Sequence, residues 1–456
     1  MSRPLVLLNV AALSPSQIGD RTPRLRAIAE KGALSPLTPP LPALTCPSHA
    51  TMVTGLTPAE HGIIGNCFYD PALAQIFNWA RSDRLVSGER IWDAARKERE
   101  DFRCINLFFR FCTHSSCNVT VTERPIYWAD GRKGAGIYAD PPTVGTRLLD
   151  EQGDFPFFTF WGPRAGLPST TWILKSALQL MNEQHPDLLL VYAPFLDYDA
   201  QRFGPDSDQA QAALGLMDAA LSEFIAQVNQ AGADLAIVSD YGFVPVSRPL
   251  YPNRLLRQHG FVRIDEADNG ELLEPGASRA FAVADNQVAH VYVRDPADIK
   301  AVQALLENMD GVARVLDSDA LAQVGLQHPR GGQLVALAER DAWFAYPYWL
   351  EPDRAPDFAH CVEIFRKPGF DPSELFLRPG VAGKLHLAKR VGQLKTNVRA
   401  PFDVISGDAS LVGGARNIDV SDHEHGAVLI TSWQRDQATT PVPMTALKSL
   451  LLERML

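Results

Sequence analysis

The chain has 456 residues, 46% of them apolar and 21% charged, and its 43 Lys plus Arg against 53 Asp plus Glu give a formal charge of −10. That length holds one large α/β domain with insertions or two ordinary domains, and the composition excludes extended disorder. The acidic balance excludes broad affinity for nucleic acid or acidic membranes, while leaving room for a pocket whose own field attracts a small anion.

The amino end, Leu5-Val6-Leu7-Leu8-Asn9-Val10, is too short and too interrupted at Asn9 for a secretion signal, and reads as a buried first strand. A helix is expected at Pro23–Lys31, with Thr22 as its N-cap. The segment from Leu41 to Gly55 predicts a second helix. Its body lies at 49–53, Thr45 is the N-cap, Pro47 sits near the first helical position, and Gly55 is the stop. Such a start aims free N–H groups and the positive end of the helix dipole at the Thr45 hydroxyl, as phosphate sites do. A plain cap has the same sequence, so these residues alone leave both readings open.

Residues 96–170, rich in aromatics, glycine and proline (Phe155-Pro156-Phe157-Phe158 among them), predict an inserted cap over the active face. Further helices are expected at 171–183 and 209–230. Buried parallel strands are expected at Leu188–Ala193, 235–239 and Ala427–Thr431. The alternation implies one α/β domain over 1–456, a mostly parallel sheet covered by helices on both faces. Ligands then belong beyond the strand ends, in the loops after Val10, Ala193 and Ser239. Residues 245–404 read as a second irregular insertion that partly completes the core. The aromatic run from Trp343 to Trp349 within it fits either a pocket wall or a packed hairpin. Six cysteines (46, 67, 104, 112, 117 and 361) show no CxxC spacing and read as reduced thiols of a cytoplasmic protein. No stretch approaches the roughly 20 apolar residues of a membrane span.

Thr45-Cys46-Pro47-Ser48-His49, continuing through Thr54-Gly55-Leu56-Thr57-Pro58-Ala59-Glu60-His61-Gly62-Ile63-Ile64-Gly65-Asn66, resembles the nucleophile block of the type I phosphodiesterase/nucleotide pyrophosphatase family, in the alkaline phosphatase superfamily. The resemblance implies an alkaline-phosphatase-like fold. It implies Thr45 as the nucleophile of a covalent phosphoryl or nucleotidyl intermediate, Asn66 as a holder of a phosphate oxygen, and His49 and His61 as structural residues. Gly88-Glu89-Arg90-Ile91-Trp92 is similar to the family's Trp-containing segment. The stretches 278–285 and 366–372 resemble a divergent subgroup encoded in bacterial biosynthetic gene clusters.

In that family two zinc ions activate the nucleophile and the leaving oxygen, and zinc asks for carboxylate, imidazole or thiolate ligands. By resemblance Thr45, Asp197, Asp240 and His425 match liganding positions. Ala11, Gln201 and Tyr241 stand where aspartate, histidine and histidine belong. A two-zinc centre is therefore not expected. Asp197, Asp240 and His425 would hold at most one ion, for which Mg²⁺ or Mn²⁺ competes with Zn²⁺. With fewer cations, Arg202 or a cap residue would have to neutralise phosphate charge. Asp197, Asp199 or His425 is a candidate base and Tyr241 a candidate proton donor, with Gln201 filling an abandoned ligand place.

The expected function is a divergent phosphoesterase or phosphoryl-transfer enzyme acting on a small phosphorylated molecule. The alternatives are a metal-independent transferase, lyase or isomerase on a phosphorylated or prenylated biosynthetic intermediate, and a non-catalytic protein that binds an anionic ligand. No nucleic-acid partner or membrane insertion is expected.

Overall fold

The computed structural model describes residues 3–129, 133–396, 398–436 and 440–456. A nine-stranded sheet forms its centre. In chain order the strands are β1 (Leu5–Val10), β2 (Ala33–Thr38), β3 (Cys104–Leu107), β4 (Val119–Glu123), β5 (Ile137–Asp140), β6 (Leu188–Ala193) and β7 (Asp234–Val238). A short pair, β8 (Phe243–Pro245) and β9 (Gly414–Arg416), stands outside this sheet, which is completed by β10 (Ala427–Thr431) and β11 (Val442–Pro443). The spatial order is β11-β2-β10-β7-β1-β6-β3-β4-β5.

β1, β6 and β7 are buried along their whole lengths, which is why their sequences read as continuous apolar runs rather than alternating ones. β1 runs parallel to both neighbours, Leu5 pairing with Leu188 on one side and Asp234 on the other. The carboxyl ends of these three central strands therefore come level, at Ala11, Pro194 and Ser239.

Helix α1 (Pro23–Lys31) coincides with the expected one, and α2 (Thr45–Thr54) and α3 (Leu167–Gln184) extend theirs. Helix α4 (Phe195–Phe203) is one the sequence reading did not include, and α5 (Asp208–Gln230) again extends an expected helix. Ser207 caps α5, its hydroxyl accepting from the Ala210 N–H at 3.2 Å. Thr22 precedes α1 but does not cap it with its side chain; its hydroxyl donates to the Gln17 carbonyl at 2.8 Å.

β10 lies where a strand was expected, but it runs antiparallel to β7 and β2. Its apolar content reports burial and is silent on direction. Residues 96–170, expected as an inserted cap, contribute strands to the central sheet: β3 and β4 continue its parallel part, and β5 closes its edge antiparallel to β4. Within 245–404 an antiparallel sheet of Ala280–Asp285, Val288–Val293, Leu334–Ala338 and Val312–Leu316 has an apolar core of its own. The aromatic run is buried rather than open. Ala342–Phe344 pairs with Arg248–Leu250, and Tyr346, Tyr348 and Trp349 share a small core with Phe358.

Next to that core a buried lysine holds a turn together. Lys367 Nζ lies 2.6 Å from Asp371 Oδ2 and 2.6 Å from Glu374 Oε1, all three side chains being almost wholly out of solvent. Trp161 Nε1 donates to the other Glu374 oxygen at 2.6 Å. Phe370 sits inside this braced turn.

Candidate active site

α2 begins at Thr45, one residue earlier in helical terms than expected. Leu44 is the N-cap, and Gly55 ends the helix in the left-handed conformation (φ 72°). Released from capping, the Thr45 hydroxyl lies 3.2 Å from the Tyr241 hydroxyl. Tyr241 in turn donates to Asp197 Oδ1 at 2.9 Å. A phenol has one proton, and it is committed to the carboxylate, so Thr45 is the donor to Tyr241. The result is a directed chain from Thr45 through Tyr241 to Asp197.

The strand ends build this arrangement. Tyr241 and Asp240 follow β7, and Asp197 stands in the first turn of α4 after β6. Gln201 is four residues on, over the same helix face, and its Nε2 donates to Asp197 Oδ2 at 2.5 Å. Gly242 lets the chain after β7 pass beside the turn before β10, since a Cβ there would come within 1.7 Å of the His425 carbonyl oxygen. Thr45, Tyr241 and Asp240 have no exposed surface and Asp197 has 3%.

Charge at the site comes from a residue the sequence did not single out. Phe243 of β8 pairs with Arg416 of β9, and the Arg416 side chain is 98% buried. Its Nη2 lies 3.4 Å from Asp197 Oδ2 and its Nη1 4.0 Å from Asp285 Oδ1. The guanidinium carbon stands 4.5 Å from the Tyr241 ring centre, 4.8 Å from Phe370 and 5.8 Å from Trp79. Burial works against its charge, but Tyr241, Asp197 and Asp285 outweigh it and keep the guanidinium firmly protonated. Nothing in the short Gly-Ala-Arg strand distinguishes that arginine from a surface one; only the pairing with β8 carries it inward.

Asn66 is anchored at the start of α2, where the Cys46 N–H donates to its Oδ1 at 2.9 Å. Arg110 N–H donates to His49 Nδ1 at 3.0 Å, and Nε2 on the other side of the ring lies 2.5 Å from Asn9 Nδ2 and 3.8 Å from Asp240 Oδ2. Burial, helped by Arg110, holds His49 well below the usual histidine range. Burial also pushes the Asp240 carboxyl up to about 7, a shift opposed by Arg416 and reinforced by Asp197. Tyr241 is held well above its ordinary value by burial, again against Arg416. His61, wholly out of solvent, meets Thr51 Oγ1 at 3.0 Å.

Three expected members lie apart. Asp199 and Arg202 pair with each other at 2.9 Å, and Arg202 also donates to the carbonyls of Gly162 and Ala165. Two and five residues beyond Asp197, they face away from it around α4. His425 does stand at the correct end of β10, but its imidazole is 45% exposed and its Nδ1 is 3.1 Å from Asp422 Oδ1.

The donors present do not fit the zinc centre implied by the resemblance. Ala11 offers no donor. Asp197 is engaged by Tyr241, Gln201 and Arg416, and the imidazole expected to complete the set is turned to Asp422. Among the described residues, no three His, Cys, Asp or Glu side chains come together in a metal-holding group.

The type I phosphodiesterase/nucleotide pyrophosphatase family matches residues 5–371, from the first central strand through the braced Phe370 turn. The chain belongs to that family. It is 28% identical over 246 residues to an uncharacterized pyrophosphatase/phosphodiesterase of Schizosaccharomyces pombe, covering 52% of this chain and 42% of the relative. It is also 30% identical over 131 residues to an ectonucleotide pyrophosphatase/phosphodiesterase of Caenorhabditis elegans, covering 27% of this chain and 15% of the relative. The matches thus span less than half the length of these curated relatives. Among solved structures it resembles murine ectonucleotide pyrophosphatase/phosphodiesterase 5, an inactive variant in complex with AMP. The TM-score is 0.61 at 14% identity, covering 100% of this chain and 95% of the other. Phosphonoacetate hydrolase of Sinorhizobium meliloti 1021, in complex with phosphonoformate, gives 0.60 at 14%, covering 100% and 96%. These structural likenesses establish the alkaline-phosphatase-like fold. No helix among the described residues is long and apolar enough to cross a membrane.

Proposed function

We propose that this chain processes phosphoesters of a small molecule, as a hydrolase or phosphoryl-transfer enzyme, with Thr45 as the nucleophile. The observation that carries the reading is the chain from Thr45 through Tyr241 to Asp197 at the positive end of α2. A threonine hydroxyl is a weak nucleophile until something takes its proton. As Thr45 Oγ forms its bond to phosphorus, its proton passes to the Tyr241 oxygen while the Tyr241 proton passes to Asp197 Oδ1. The bond from phosphorus to the leaving oxygen breaks with its electron pair on that oxygen. The relay leaves Tyr241 neutral throughout, which suits a phenol whose ionisation is disfavoured by burial. Asn66, whose Oδ1 accepts from the Cys46 N–H, orients a phosphoryl oxygen in this reading. The AMP and phosphonoformate bound by the two structural neighbours support a small phosphorylated or phosphonylated substrate.

The test is turnover of an aryl phosphodiester and an aryl phosphomonoester by the wild type and Thr45→Ala, each with chelator, Mn²⁺ or Zn²⁺. Loss of about 10³-fold or more in the variant is expected if the hydroxyl is the attacking group. Unchanged turnover in Thr45→Ala sinks the nucleophile assignment.

One observation favours a second reading, that of a binding protein without catalysis: Thr45 has no exposed surface and its hydroxyl is already engaged. Wild-type protein that binds AMP yet leaves both aryl esters and AMP itself intact would support it.

A further inference from the structure

We propose that Arg416 is a substrate-binding catalytic residue, the fixed cation that holds phosphoryl oxygens in front of Thr45. In two-metal phosphoryl transfer, bound ions neutralise the charge that develops at phosphorus. Here the donor set for such ions is broken, and the guanidinium stands against Asp197, Tyr241 and Asp285 instead. The inference rests on the phosphoester reading and names its missing positive charge.

The hydrogen bonding of Arg416 is what separates a ligand-binding role from a purely structural one. A guanidinium has five N–H donors in a rigid fork. Only Nη2 makes a hydrogen bond, at the long distance of 3.4 Å, while Nε and Nη1 are buried without one, Nη1 standing 4.0 Å from Asp285 Oδ1. Buried charged groups left unsatisfied are costly, and native interiors rarely keep them without a bound water, ion or ligand. A structural arginine this deep would spend its fork on carbonyls or carboxylates, as Arg90 does on Asp83, Val86 and Gly88. Arg416 leaves most of its fork unused.

A second group repeats the pattern. Asn66 is fixed through its oxygen to the first turn of α2, and its Nδ2 is buried with no hydrogen bond of good geometry. Asp285 links the two, since the charge of Arg416 and hydrogen bonding from Asn66 both favour its charged form, against burial. Under-used donors thus come from β9 and from the Asn66 loop toward Asp285, beside the Thr45 chain. Tetrahedral oxyanions suit such a set, because two parallel N–H groups of one guanidinium match two phosphoryl oxygens. The aromatic faces of Tyr241, Phe370 and Trp79 keep the cation dry, which strengthens its attraction for an anion. Arg416 transfers no proton. Its role is to bind two oxygens and stabilise their charge.

The test uses the full chain and inorganic phosphate as the probe. Phosphate affinity is measured by calorimetry on Thr45→Ala, alone and combined with Arg416→Gln or Arg416→Lys. Turnover of the aryl diester is measured on the single Arg416 variants, with thermal unfolding and near-ultraviolet dichroism confirming the fold. Thr45→Ala is expected to bind phosphate, Arg416→Gln to weaken that binding at least about 10-fold, and turnover to fall about 10²–10³-fold, as for loss of an oxyanion donor. Arg416→Lys keeps the charge but not the fork, and should recover only part of either effect. A folded Arg416→Gln that binds phosphate and turns over normally overturns the proposal, as does a Thr45→Ala protein that takes up no phosphate. If Arg416→Gln does not fold, Arg416→Lys decides, and unchanged phosphate affinity in it overturns the proposal. Unchanged turnover in Thr45→Ala would instead remove the nucleophile reading while the phosphate series still judged Arg416.

Discussion

Replacing Lys367 by methionine isolates the brace that holds Phe370 over Arg416. The lysine satisfies two buried carboxylates at 2.6 Å each, and methionine fills similar volume without charge. Breaking a buried ion pair by removing one partner costs about 3–5 kcal/mol, because the remaining charge stays buried and unpaired. The unfolding entropy of a chain this long is about 1 kcal/mol/K, so the melting temperature should fall by about 3–5 °C. The pH dependence carries the sharper test. Burial already raises the Glu374 carboxyl above its ordinary range, and Lys367 is the leading force opposing that rise. Without the lysine, the folded-state value rises further. A raised carboxyl is protonated in the folded protein while the unfolded chain has already ionised. Its cost is therefore absent well below the unfolded carboxylate range and grows as pH increases toward the folded value. Thermal and urea unfolding of both proteins at pH 5 and pH 8 should show a larger deficit at pH 8. A deficit that is absent, or that shrinks as pH rises, refutes the account of Lys367 as the compensating charge. Adding Glu374→Gln should recover part of the loss at pH 8.

Tyr241→Phe removes the middle of the relay and leaves Asp197 Oδ1 without its 2.9 Å donor. Turnover of the aryl diester should drop about 10²–10⁴-fold, and stability by about 1–3 kcal/mol in urea titrations. Gly242→Ala should destabilise the chain or prevent its accumulation as folded protein, because its methyl group meets the His425 carbonyl, and backbone on both sides must shift. His61 is held down to about 3 by burial, with Arg90 and His328 contributing. The unfolded chain protonates it first, so stability falls as pH drops through 6.5 toward 3. His61→Gln should lose about 3 kcal/mol less than wild type between pH 8 and pH 4.5, measured by urea unfolding.

The central sheet was legible because β1, β6 and β7 are buried on both faces, and that condition favours near-continuous apolar runs. Their level carboxyl ends brought Asp197, Asp240 and Tyr241 to the expected face. Strand direction at β10 was not legible, since an antiparallel strand buried on both faces has the same composition. The spacing that suggested Asp199 and Arg202 described one helix but not which of its faces looks inward. His425 precedes the correct strand, yet a local contact with Asp422 decides where its ring points. Arg416 escaped notice for the opposite reason. It has no motif around it, and its importance comes from β8, more than 170 residues earlier in the chain.

The complete burial of Thr45 has a kinetic consequence. Whatever reaches that hydroxyl arrives only in the fraction of molecules whose covering atoms have moved aside, so measured affinity is the intrinsic affinity multiplied by that fraction. Where opening precedes capture, the observed association rate should level off at high ligand concentration, with the plateau reporting the opening step. Trp79, beside the Arg416 guanidinium, supplies a fluorophore close enough to follow it.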